Sequence, residues 1–116
     1  MNARGVADLF EEGIALFNAG RFFACHEIWE EAWKRTRGEE RLFYQGLIQA
    51  AAALLHVERG NLRGAESLLH KSKGKLEAFP SMHMGLDVGE FRAALQLFFV
   101  HTRVGETPPW PRLHRV

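Results

Sequence analysis

The chain has 116 residues, a length typical of one globular domain, with 47% hydrophobic and 25% charged residues. This balance excludes an intrinsically disordered chain, and a formal net charge of +1 argues against nucleic acid as a partner. A single cysteine excludes an internal disulfide. Because the sequence also lacks a signal-peptide pattern and a long apolar run, we expect a cytoplasmic protein that does not enter the membrane.

Helical periodicity extends through nearly the whole sequence. The apolar spacing, with Gly, Asn, Asp or Pro at most boundaries, predicts five helices. They are expected over residues 6–18, 21–37, 39–59 and 62–79, and from about residue 88 onwards. No segment alternates between apolar and polar residues for long enough to predict a strand.

Short links between consecutive helices favour antiparallel hairpins. The sequence therefore predicts an all-α fold, a single-domain multihelical bundle over residues 1–104, followed by a Pro-rich tail over 105–116. The third helix is apolar on nearly every side from residue 47 to 55, so we expect it to be the central helix. Trp110 is expected to fold the extended tail back onto the bundle.

Two predicted helices carry polar residues beside their apolar faces. His26 and Glu30 lie one turn apart at the border of the apolar face of the second helix. On the third helix, Gln45, Gln49 and His56 share a stripe about 40° wide. Buried amides and imidazoles are costly unless they are hydrogen-bonded or bound to a ligand. We therefore expect the two stripes to converge in one pocket.

The segment that starts at His26 reads H-E-x-x-E, which is similar to the zinc-binding H-E-x-x-H helix. By that analogy Glu27 is the catalytic base, and His26, Glu30 and His56 are ligands of a zinc ion. A structural interpretation stays open beside it. Glu30 then forms an ordinary surface ion pair, and the imidazoles and amides form a hydrogen-bonded network within the bundle.

A series of ordered blocks resembles the family called domain of unknown function 309 (DUF309). The blocks are Gly20-Arg21-Phe22-Phe23, His26-Glu27-x-x-Glu30-x-x-Trp33, Gln45-Gly46-Leu47-Ile48-Gln49, His56, and Gly60-Asn61-x-x-Gly64-Ala65. The resemblance spans about residues 8–78 and implies a small helical bundle with no established activity. Members are often labelled predicted metal-dependent hydrolases, a label that draws on the same H-E-x-x-E pattern. The family resemblance implies six site positions: His26, Glu27, Glu30, Gln45, Gln49 and His56.

Two functions remain open from the sequence. One is a non-catalytic helical module that binds a protein partner or a small ligand, or that forms a homo-oligomer. The other is a metal-dependent hydrolase built on the H-E-x-x-E helix. Neither involves nucleic acid or a membrane.

Overall fold

The structure is a computed structural model that describes residues 4–116, and five α-helices account for most of this range. The helices are α1 (Val6–Asn18), α2 (Phe22–Arg35), α3 (Glu39–Glu58), α4 (Leu62–Leu76) and α5 (Val88–Arg103). The predicted all-α fold is confirmed, and all five helices begin within a residue of the predicted position. Among the described residues, no helix is both long enough and apolar enough to cross a membrane.

Side-chain caps and left-handed glycines set the helix boundaries. Gly20 and Gly60 follow α1 and α3 with φ values of 76° and 77°, a backbone conformation that only glycine adopts without strain. The Asn61 side chain accepts a hydrogen bond from Gly64 N at 3.0 Å and starts α4. Asp87 starts α5 in the same way. Helix α2 ends two residues earlier than predicted, because the backbone is extended at Thr36.

A two-stranded hairpin between α4 and α5 is absent from the sequence prediction. Strands β1 (Met82–His83) and β2 (Leu86–Asp87) pair antiparallel around Met84 and Gly85, which both have positive φ. Positive φ at both turn residues is the geometry of a tight hairpin. Two-residue strands are too short to show an alternating pattern, so periodicity could not reveal them.

Helix α3 is the central helix, as its apolar run predicts, and it packs between α2 and α4. Small residues allow the close approach to α4. A Cβ atom at Gly46 would lie 2.9 Å from Leu76 Cδ2, and the Ser72 hydroxyl donates a buried hydrogen bond of 2.7 Å to the Gly46 carbonyl. This contact fixes the register of the two helices.

The tail crosses back over the ends of α1, α2 and α5. Trp110 stacks on Phe98 with ring centroids 5.2 Å apart and meets the edge of Phe22 at 5.1 Å, so its expected position on the bundle is confirmed. The Asn18 amide then makes two hydrogen bonds to the Leu113 backbone, at 2.9 and 2.7 Å. Beyond this point the tail pairs with the β2 strand. The tail is therefore anchored to the helices at Trp110, Pro111 and Leu113.

The centre of α3 gives a test of this packing. Ala51 is fully buried, whereas the adjacent Ala52 is half-buried at the surface of the bundle. Ala51→Leu should lower the free energy of unfolding by about 1–3 kcal/mol, because the core has no room for the added carbons. Ala52→Leu is the matched control and should change it by less than about 0.5 kcal/mol. Urea denaturation measures both, and an Ala51→Leu midpoint equal to that of the wild-type protein would contradict the central position of α3.

Candidate functional site on the second and third helices

One side of α2 and one side of α3 form a continuous surface that we name the α2–α3 face. Each side is a stripe about 80° wide on its helix. The α2 stripe consists of Phe23, His26, Glu30 and Trp33, and the α3 stripe consists of Arg41, Gln45, Gln49, Ala52, His56 and Arg59. Five of the six predicted site residues belong to this face.

Two cation–π contacts show that the stripes lie side by side. At one end, the Arg41 guanidinium lies 4.0 Å from the centroid of the Trp33 ring. At the other end, the Arg59 guanidinium lies 6.0 Å from the centroid of Phe23, the outer limit of such a contact. Because the helices are antiparallel, the residues between these contacts on α2 lie opposite those between them on α3.

His26 and Glu30 come together as the sequence predicts. His26 Nδ1 lies 3.7 Å from Glu30 Oε2, which is an ion-pair distance and too long for a hydrogen bond. Their side chains are 30% and 45% exposed. Both groups are therefore accessible to a molecule bound on the α2–α3 face.

His56 has a partner at its own end of the helix. Its Nδ1 atom lies 3.1 Å from the amide nitrogen of Asn61, the residue that caps α4. An amide nitrogen donates, so the imidazole accepts through Nδ1 and is tied to the turn between α3 and α4. Glu27, the predicted base, is exposed beside the face rather than within it.

The proposed zinc ligands do not form a ready-made centre. Over residues 4–116, no group of three or more His, Cys, Asp or Glu side chains is arranged to hold a metal ion. His26 and Glu30 supply two donors, whereas a zinc site needs at least three from the protein. Cys25 is not a substitute, because burial raises the pKa of its thiol well above its usual range and keeps it protonated. These residues do not fit a zinc site in this arrangement, and zinc binding stays a prediction.

The glutamines of α3 line the middle of the face, and both are half-buried. The Gln49 Oε1 atom is inaccessible to solvent, and no group in the described part of the chain donates a hydrogen bond to it. The sequence predicts that a buried amide here needs a partner. That partner does not come from residues 4–116.

Two features of α3 were not predicted as parts of a site. Arg41 and Arg59 follow the same helical period as the glutamines, which is a signal that a wheel extended to both helix ends could have found. The Tyr44 hydroxyl is a second buried polar group with no partner among the described residues. Tyr44 lies outside the α3 stripe, and its ring packs against Phe10 of α1. Burial, with a smaller contribution from the charge of Glu40, raises the pKa of Tyr44 to about 12.

Comparison with known proteins gives one family. The family model "Domain of unknown function (DUF309)" matches residues 10–68, which include all six predicted site residues. An uncharacterised protein of Aquifex aeolicus (strain VF5) is 32% identical over 103 residues, which are 88% of this chain and 31% of that protein. The uncharacterised protein YpuF of Bacillus subtilis (strain 168) is 46% identical over 50 residues, 41% of this chain and 29% of that protein. The chain spans less than a third of the length of either relative.

The roles of His56 and Asn61 can be distinguished by how far an alanine substitution at each position lowers the free energy of unfolding. Asn61→Ala removes the cap of α4 and should lower the free energy of unfolding by about 1 kcal/mol. His56→Ala removes only a partner of that residue and should cost less than about 0.5 kcal/mol. Thermal unfolding of the two variants makes the comparison. A loss of about 1–3 kcal/mol for His56→Ala would instead identify this imidazole as part of a structural network.

Proposed function

The chain belongs to the DUF309 family, and from that premise we propose that it is a non-catalytic helical module that binds a protein segment on the α2–α3 face. The observation that carries the proposal is the Gln49 Oε1 atom, a buried acceptor with no donor among the described residues. We place the module in the cytoplasm, which is supported by its one free cysteine.

The unpaired amide oxygen has an energetic cost in the free protein. A buried acceptor without a hydrogen bond costs about 1–3 kcal/mol. Because this oxygen is closed to solvent in the free protein, the Gln49 side chain has to turn outward on binding. An N–H or O–H group of the bound partner then offsets the cost. Gln49 lies in the middle of the α3 stripe, and the small side chain of Ala52 one turn further along leaves space beside it. A backbone N–H of a bound protein segment is a donor of the right size.

The rest of the α2–α3 face has the composition of a protein interface. Phe23 is 53% exposed, and Leu42, next to the α3 stripe, is 42% exposed. The contact between Arg41 and Trp33 holds two long side chains in place before a partner arrives, which reduces the entropy lost on binding. Aromatic and arginine side chains are enriched at the energetic centres of interfaces. Between Arg41 and Arg59 neither stripe carries a lysine or an arginine, and the absence of a basic patch there disfavours nucleic acid.

A bound peptide tests this proposal directly. Peptides selected from a random phage-displayed library on the wild-type protein should bind Gln49→Met and Phe23→Ser at least about tenfold more weakly. Leu97→Gln, a substitution of an exposed residue on α5, should leave their affinity unchanged. Selected peptides that bind all three variants equally would contradict the assignment of the α2–α3 face.

Stability provides a second, independent readout. Gln49→Met removes the unpaired acceptor from the free protein and should raise the free energy of unfolding by about 1 kcal/mol. The matched control is Gln96→Met, because Gln96 Oε1 accepts a hydrogen bond from Lys73 Nζ at 2.5 Å and its loss should not stabilise the fold. Urea denaturation compares the two. A destabilised Gln49→Met would mean that this side chain contributes to the fold rather than to binding.

The metal-dependent hydrolase is the second candidate, and the contact between His26 and Glu30 is the observation in its favour. Protein purified without chelator should contain far less than one zinc ion per chain, because the third ligand is missing from this arrangement. Elemental analysis gives the answer. Stoichiometric zinc that is lost in both His26→Ala and His56→Ala would favour the hydrolase instead.

A further inference from the structure

A concave surface lies between α5 and the tail, apart from the α2–α3 face. We name it the α5–tail groove. It has a volume of about 840 Å³, in the range of small-molecule binding sites. Phe98 and Trp110 form its aromatic side, and Ala94 and Leu97 of α5 form its outer side. It contains none of the residues of the α2–α3 face.

Trp110 is the principal aromatic surface of the groove. Its ring stacks on Phe98 at an interplanar angle of 26°, yet 39% of the residue remains exposed. Leu97, which also lines the groove, is 58% exposed. A smaller cavity of about 210 Å³, lined by Val57, Phe98 and Thr102, lies next to Trp110 as well. The indole is therefore only partly covered by its own chain.

The groove is formed in advance of any ligand. The Asn18 amide holds Leu113 with two hydrogen bonds, and Asp87 N donates to the His114 carbonyl at 2.9 Å. These contacts fix the tail on the far side of Trp110. A ligand that enters the groove therefore does not bear the entropic cost of ordering the tail.

Two histidine–glutamate pairs lie at the groove. His101 Nδ1 is 2.7 Å from Glu106 Oε1, and His114 Nε2 is 3.5 Å from Glu90 Oε1. The groove thus presents two carboxylates and two imidazoles to a ligand.

Arg112 is the one arginine that lines the groove, and its Nη1 atom also lies 3.4 Å from the Asn18 carbonyl. The carboxylates of Glu90 and Glu106 outnumber this guanidinium, so negative charge exceeds positive charge among the side chains that line the groove. An aromatic surface next to carboxylates favours a ligand that is flat, apolar and positively charged at one end.

We propose that the α5–tail groove binds a small aromatic amine, with its ring against Trp110 and its ammonium group at the carboxylate of Glu106. This proposal does not depend on the function of the α2–α3 face. The positive charge of the ligand determines the specificity of the groove. The apolar side alone would accept an aromatic ring of any charge.

Tryptamine and indole-3-acetate are suitable probes, because they share one ring and carry opposite charges. Titration into ¹⁵N-labelled protein should shift the indole N–H signal of Trp110 in a saturable way with tryptamine. Indole-3-acetate should bind at least about tenfold more weakly. The indole N–H of Trp29, which is buried and donates to the Phe10 carbonyl, is the internal control and should not move.

Substitutions at two exposed residues of the groove, and at one exposed residue outside it, complete the test. Leu97→Gln and Glu106→Gln should each weaken tryptamine binding about tenfold or more. Leu42→Gln, at an exposed leucine of α3, should leave it unchanged. Equal affinity for both probes, an unaltered affinity in Glu106→Gln, or no saturable shift of the Trp110 signal up to roughly 10 mM would each overturn the proposal.

Discussion

The packing of Trp29 against α1 sets the orientation of α2, on which the α2–α3 face depends. A Cβ atom at Gly13 would lie 1.9 Å from Trp29 Nε1, so only glycine allows the indole to lie this close to the α1 backbone. The indole N–H donates to the Phe10 carbonyl at 3.3 Å, and the ring stacks near Phe17. With Trp29 turned fully inward, the helical period places His26 and Glu30 at the side of α2 that borders α3. A side chain at position 13 would push the two helices apart and disturb this arrangement.

Local signals explain why the helices could be predicted from the sequence. Left-handed glycines and the capping side chains of Asn61 and Asp87 act within a few residues of the boundaries they set, so the sequence contains the whole cause. The pairing of His26 with Glu30 is equally local, because it follows from one helical turn. The β hairpin depends on positive φ at Met84, which is uncommon for a residue other than glycine and has no signature in the composition.

The environment of His56 shows where a helical wheel ceases to apply. A helical wheel of α3 predicts that the imidazole points towards α2. In the structure the chain reverses at Gly60, and the turn brings Asn61 next to the ring. The arginine–aromatic contacts at the two ends of the α2–α3 face depend on the register between helices. Periodicity within one helix does not define that register, which arises from the packing of both helices on the core.

The tail joins distant parts of the chain, and this has a consequence for the order of folding. The two hydrogen bonds between Asn18 and Leu113 close a loop over a separation of 95 residues. During synthesis, α1 and α2 leave the ribosome well before residue 110, so Phe22 lacks the indole that covers it until Trp110 has followed. A chaperone that recognises exposed aromatic side chains would therefore find this part of the bundle uncovered for as long as Trp110 has not emerged.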